Sequence, residues 1–212
     1  MSCEDDVTRA LAFGASALGF VSAMPSGPGP IPEELIARLI GLVPPSVDTF
    51  LLTSLTEPEA IAAQHERCGA RTIQLVDRME PAALRTLRAL VPFTRLVQVI
   101  HVTGPDSLGE AEEAAPLVDA ILLDSGNPNA AQRELGGTGR THDWNVSAAI
   151  RARVAPVPLL LAGGLRGHNV GEAIRQVQPF GVDVCSGVRT DGILDAGKLG
   201  AFVRAARAPL SS

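Results

Sequence analysis

Tyrosine is absent from this sequence, tryptophan occurs once and phenylalanine six times, so aromatic residues make up only 3% of the chain. A surface that stacks on unpaired bases lacks its platform. A basic block is missing too: 18 Lys and Arg stand against 23 Asp and Glu, for a net charge of −5, which argues against a nucleic-acid partner. The three cysteines, Cys3, Cys68 and Cys185, are widely spaced and odd in number, and they form neither a disulfide framework nor a C-x-x-C pair. The histidines at 65, 101, 142 and 168 show no H-x-x-x-H spacing, so no catalytic metal is expected. No apolar run approaches the roughly 18 to 20 residues that span a bilayer, and no basic segment leads into an apolar one at the start. The expectation is a soluble, cytoplasmic protein without a membrane partner.

What is present is a repeated two-beat pattern in a chain of 212 residues that is 46% hydrophobic, which suits one domain over residues 1–212. Short apolar runs bounded by Asp, Gly or Pro predict strands at 15–21, 47–52, 71–76, 96–102, 120–123, 158–161 and 182–185. Apolar residues at helical spacing predict helices at 1–13, from Pro32 through Ile40, and at 57–68, 81–90, 107–115, 144–153, 169–177 and 195–206. Ser107 with Glu110 three residues later predicts a capping box. A Pro/Gly-rich loop at 22–32 interrupts the regular elements. Strand followed by helix throughout signals a parallel sheet with crossover helices. The predicted fold is therefore a (β/α)8 TIM-type barrel. The chain starts on a helix and offers seven strands where such a barrel has eight, so the first strand is missing or truncated. A coding start placed too late, a lost strand or another mode of closure would each explain this, and an open doubly wound sheet is the alternative architecture.

In a parallel barrel the C-terminal strand ends build the active face. The stretch 119–126 (DAILLDSG) ends an apolar strand at Asp124, and Gly136, Gly137 and Gly139 follow within a short distance. Gly163 and Gly164 follow the next strand, and Ser186 and Gly187 the last. Small residues there leave backbone N–H groups open beside helix N-termini, a seat for phosphate. Asp77, His101, Arg140, Arg166 and Arg189 also follow strands or lie in the loops on that face. Each has a plainer reading: a helix cap for Asp77, a core histidine for His101, solvated charges for Arg166 and Arg189. As an ensemble they could instead face a ligand, with His101 as a base and the arginines on an acidic group.

The segments LLDS (122–125), GGTG (136–139) with Asp143 and Trp144, LAGGL (161–165) with Asn169 and Val170, and DVCSGV (183–188) resemble the phosphoribosylanthranilate isomerase family; Gly14 with Ala15, LGFV (18–21) and Gln74 with Leu75 do so more loosely. The resemblance implies a (β/α)8 barrel that carries out an Amadori rearrangement in tryptophan biosynthesis. The substrate would be a phosphorylated sugar, no cofactor would be needed, and the protein would be a monomer or homodimer. It implies Asp124 as the general acid that opens the ribose ring, held protonated by burial or a neighbouring negative charge. Gly163, Gly164, Ser186 and Gly187 would form the phosphate seat, and Gln74, Gly137, Arg166 and Arg189 would bind substrate. Three features depart from the family. Its cysteine base lies on the strand that is missing here, its Ser-Pro-Arg corresponds to the loop 23–30 without an arginine, and its histidine after Gln-Leu is Val76. Asp77 and His101 are the replacement catalytic candidates. Two alternatives stay open: a diverged phosphosugar isomerase or lyase using Asp77 or His101 with Asp124, and a non-catalytic protein that binds a phosphorylated metabolite.

Overall fold

The computed structural model describes residues 1–25, 29–126 and 141–208. The chain enters through helix α1 (Glu4–Ala12) and then alternates strand and helix: β1 (Ala17–Val21), α2 (Glu33–Ile40), β2 (Asp48–Thr53), α3 (Pro58–Cys68), β3 (Thr72–Leu75), α4 (Pro81–Leu90), β4 (Arg95–His101), α5 (Ser107–Ala114), β5 (Ala120–Asp124), α6 (Trp144–Val154), β6 (Leu159–Leu161), α7 (Val170–Val177) and β7 (Gly181–Val182). A small hairpin of β8 (Arg189–Thr190) and β9 (Ile193–Leu194) precedes the last helix, α8 (Ala196–Arg207).

The seven strands from β1 to β7 pair in sequential order, and every pairing is parallel. Period-two alternation divides their side chains between two apolar layers. Leu18, Phe20, Leu51, Ile73, Leu75, Leu96, Ile100, Ile121, Leu123, Leu159 and Leu161 point outward and pack with the helices. Val76, Val97, Val99, Leu122 and Ala162 form a smaller cluster on the concave side, joined by Phe50, Leu52 and Leu160. The sheet thus curls around its own inner cluster, as a barrel wall does. β1 and β7 are not hydrogen-bonded to each other, so the wall is open at the position where an eighth strand would stand. The Met1 amino group reaches into this seam and donates to the Gly19 carbonyl at 2.5 Å.

Three local expectations are corrected. The last wall strand is shorter than 182–185 because the chain turns at Cys185 into a 3-10 turn, Ser186–Val188, and then into the hairpin. Ser107 does not cap α5; Asp106 occupies that position, and the Ser107 hydroxyl accepts from Thr103 N–H and donates to the His101 carbonyl, bracing the loop after β4. Arg189, expected to face a ligand, is committed elsewhere: its guanidinium donates to the Asp6 carboxylate at 3.0 Å and to the Gly192 carbonyl at 2.8 Å.

That pair holds α1 against the end of the wall. Asp6 is 3% exposed and also accepts from the Ser2 N–H and hydroxyl. Burial opposes its ionisation, but the hydrogen bonds from Ser2 and Arg189 and the guanidinium charge outweigh burial and hold the carboxyl below its ordinary value. A depressed carboxyl contributes stability that is complete above its unfolded value and lost as pH falls through its folded one. Arg189→Met, which leaves the buried carboxylate unpaired, is expected to cost about 3 to 5 kcal/mol near neutral pH. The deficit should shrink in acid, where Asp6 takes up a proton. Urea unfolding at the two pH values checks this, and an equal deficit at both would show that charge pairing is not the cause.

Candidate functional site

Asp124 closes β5 on the concave side, two residues beyond Leu122 of the inner cluster, and its Oδ1 accepts the Ser125 N–H at 2.7 Å. The half-buried carboxylate stands at the C-terminal mouth of the wall, with His101 opposite it in the β4–β5 register. The alternation that carries Val97 and Val99 inward brings His101 to the same face. Its Nε2 lies 2.9 Å from the Val76 carbonyl, so that nitrogen carries the proton, and its Nδ1 is buried without a hydrogen-bond partner among the described residues. Asp77 follows Val76 and accepts the Arg78 N–H through Oδ1 at 3.1 Å. Gln74 lies deeper in the same wall and is buried.

The glycine positions after β6 and β7 come together. Gly163 and Gly164 adopt positive φ of 83° and 63°, which only glycine takes up without strain. A Cβ on Gly163 would sit 2.9 Å from both the Ser125 nitrogen and His142 Nδ1, and one on Gly187 would overlap the Leu165 carbonyl oxygen. The two loops therefore interlock with no room for side chains. Asn169 ties the first loop to the start of α7: its Oδ1 accepts the Arg166 N–H at 2.7 Å and its Nδ2 donates to the Gly164 carbonyl at 3.2 Å. Beside the N-terminus of α7 and the turn that holds Ser186 and Gly187, this is a concave backbone seat of the kind that takes a phosphate. Arg166 is exposed at its rim. Gly137 and Arg140 lie outside the described residues.

One group in the site was not foreseen. Asp183 follows β7, and because Val182 packs into the outer layer, Asp183 points to the concave side. Solvent reaches it, yet protein surrounds it closely enough that desolvation, reinforced by the Asp124 carboxylate, pushes its carboxyl up to about 6. The negative charge and burial expected to act on Asp124 thus act visibly on its neighbour. The sequence signal was an acid at the end of a wall strand, the same signal that singled out Asp124. With its folded value raised, Asp183 binds a proton more tightly when folded, so it costs stability as pH rises from the ordinary carboxyl range through about 6. Melting temperatures should show Asp183→Asn gaining on the wild type across that interval; parallel curves would place the charge clash elsewhere.

Among the described residues no cluster of His, Cys, Asp and Glu has the geometry of a metal site, and no helix is long and apolar enough to cross a membrane. An acid, a second carboxyl held above its ordinary value and a concave backbone seat at one mouth are suited to proton transfer on a phosphorylated metabolite.

A family model described as N-(5'phosphoribosyl)anthranilate (PRA) isomerase matches residues 56–205. A protein of Haloferax volcanii named N-(5'-phosphoribosyl)anthranilate isomerase is 37% identical over 96% of this chain and 89% of its own length. One of the same name from a Synechococcus species is 36% identical over 92% of this chain and 83% of its own. Among solved structures, phosphoribosyl anthranilate isomerase from Thermotoga maritima superposes with a TM-score of 0.82 at 28% identity, covering 98% of this chain and 96% of that one. A phosphoribosyl anthranilate isomerase in complex with reduced 1-(O-carboxyphenylamino)-1-deoxyribulose 5-phosphate superposes at 0.79 with 27% identity, covering 98% and 95%.

Proposed function

Because the chain belongs to the N-(5'-phosphoribosyl)anthranilate isomerase family, whose members are barrel enzymes of tryptophan biosynthesis that need no cofactor, we propose that it isomerises phosphoribosylanthranilate with Asp124 as general acid. The observation that carries this reading is the placement of Asp124 directly beside the interlocked glycine loops, where Gly163 touches Ser125. A substrate phosphate seated on Gly163, Gly164, Ser186 and Gly187 brings its sugar ring to the carboxyl. Asp124 protonates the ring oxygen, the bond from that oxygen to the anomeric carbon breaks, and the nitrogen lone pair forms a C=N bond. A base then removes the proton from the neighbouring carbon, and the resulting enol rearranges to the ketone.

His101, Asp77 and Asp183 are the candidate bases. Asp183 is favoured because it is open to solvent and ionised above about 6, whereas the unprotonated nitrogen of His101 is buried. Gln74 and Arg166 are proposed to face the rest of the substrate; Arg189 is proposed to act only indirectly, by holding α1. The substrate being phosphorylated is supported by the ligand in the related complex, and a homodimer by the related Thermotoga maritima enzyme, which is described as dimeric in a structure of monomers generated from it.

The test is turnover of freshly generated phosphoribosylanthranilate. Product formation supports the assignment. Val76 is 2% exposed in the inner cluster where the family resemblance calls for histidine, and this favours a second reading, a different phosphosugar substrate. No turnover, with sugar phosphates still raising the melting temperature, would decide for it.

A further inference from the structure

β4 runs further toward the mouth than β3 does. The register of the two strands ends at Leu75 opposite Gln98, whereas β4 continues beside β5 as far as His101 opposite Asp124. At that end, two β4 side chains take hold of β3 from opposite faces of the wall. From the concave side His101 Nε2 donates to the Val76 carbonyl at 2.9 Å. From behind, Gln98 Nε2 donates to the Leu75 carbonyl at 3.2 Å and to the Asp77 carbonyl at 2.8 Å, and it lies 3.0 Å from the carbonyl of its neighbour Val99. Carbonyls only accept, so the nitrogen of the Gln98 amide must face them and its oxygen must face away. That oxygen is buried without a hydrogen-bond partner among the described residues. Gln98 itself is 1% exposed, between Leu96 and Ile100 of the outer apolar layer. An orphaned amide oxygen there costs stability that an apolar side chain would not. What the glutamine provides in return is its nitrogen.

We infer that Gln98 is a positioning residue for the side of the mouth that lies across from the phosphate seat. Acting from outside the wall, its amide nitrogen holds the carbonyls of Leu75 and Asp77 and so sets the turn at 76–78. β3 stands four places from β7 in the sequential sheet order, and the proposed seat lies in the loops after β6 and β7. A substrate whose phosphate rests on that seat therefore extends its other end toward the turn. The inference rests on the reading of this mouth as the isomerase site. Gln98 touches no substrate and acts through the turn alone. Because His101 keeps its own bond to Val76, loss of the amide should displace the turn rather than unfold it.

Two substitutions separate this role from a merely structural one. Gln98→Met keeps the bulk and loses the donor. Gln98→Lys keeps a donor, whose three hydrogens match three carbonyls, and the small cavity that Gln98 lines with Arg78 and Glu110 receives its extra length. For Gln98→Met, KM for phosphoribosylanthranilate is expected to rise about 10-fold, with kcat within about threefold of wild type and stabilisation by inorganic phosphate unchanged. For Gln98→Lys, KM should stay within about threefold. An unchanged KM in Gln98→Met overturns the inference, as does a rise accompanied by loss of phosphate stabilisation, which would mean a general loosening. Equal rises in both variants assign the effect to packing and overturn it too. Should Gln98→Met not fold, Gln98→Lys carries the test, and a raised KM there refutes the inference. If the wild type fails to turn over phosphoribosylanthranilate, the functional reading fails, and the inference is then judged by hydrogen exchange. In Gln98→Met the amides of Arg78 and Met79 should exchange about 10-fold faster while those of Ser125 and Gly163 keep their rates; unmoved rates at 78 and 79 refute it.

Discussion

Asp124→Asn is expected to lower kcat on phosphoribosylanthranilate by about 10²-fold to 10⁴-fold, the usual contribution of a positioned general acid. The amide keeps the shape of the carboxyl and its oxygen can still accept the Ser125 N–H, so the end of β5 should not rearrange. The proposed phosphate seat lies in the loops after β6 and β7 and uses backbone groups, so inorganic phosphate is expected to stabilise the variant as much as the wild type. Loss of turnover with phosphate stabilisation retained assigns the proton transfer to Asp124. Retained turnover removes it from the mechanism, and a simultaneous loss of phosphate stabilisation would mean that the change disturbed the seat. The same variant bears on Asp183: with the Asp124 charge gone, one of the two causes that raise the Asp183 carboxyl disappears, and its titration should move down from about 6.

The second large effect is expected at Gly187. Its φ is not positive, so backbone conformation alone would admit alanine; what forbids the change is the Leu165 carbonyl oxygen, which occupies the place of the Cβ. Leu165 belongs to the loop of Gly163 and Gly164, so making room for a methyl group forces the two halves of the seat apart. Overpacking of this kind costs about 1 to 3 kcal/mol, and more when the obstacle is backbone. Gly187→Ala should lose both melting temperature and phosphate stabilisation, with KM rising far more than kcat falls. Gly109→Ala is the control: it lies inside α5 with open space around it and should stabilise by about 0.5 to 1 kcal/mol. A Gly187→Ala variant that binds phosphate normally would show that the loops can separate without harming the seat, and the seat would have to be placed elsewhere.

The wall strands could be read because parallel strands covered on both faces are continuous apolar runs, and because the loops at their ends need Gly, Asp and Pro. Runs such as Ile121 to Leu123 and Leu159 to Leu161 announce themselves. The capping error at Ser107 has a local cause: serine hydroxyls serve caps and loop braces equally well, and the choice was made by Thr103 N–H and the His101 carbonyl. The pairing of Arg189 has a non-local cause. The partner of Arg189, Asp6, is 183 residues away in the chain, and only the curl of the wall brings α1 to the hairpin.

Sequence by itself therefore determined the element order, the parallel wall with its seven strands, and the candidate acid and glycine positions at its mouth. These are consequences of which residues tolerate burial, turns and strand ends, and they are written within a few residues of each position. The tertiary structure decided which of the polar groups work together. Asp124 and Asp183 share one concavity, Gly187 is locked against Leu165, and Gln98 holds the end of β3 from behind the wall. Proton affinity, close packing and the hold of a side-chain amide depend on distances between residues remote in the chain, and those distances exist only once the sheet has curled.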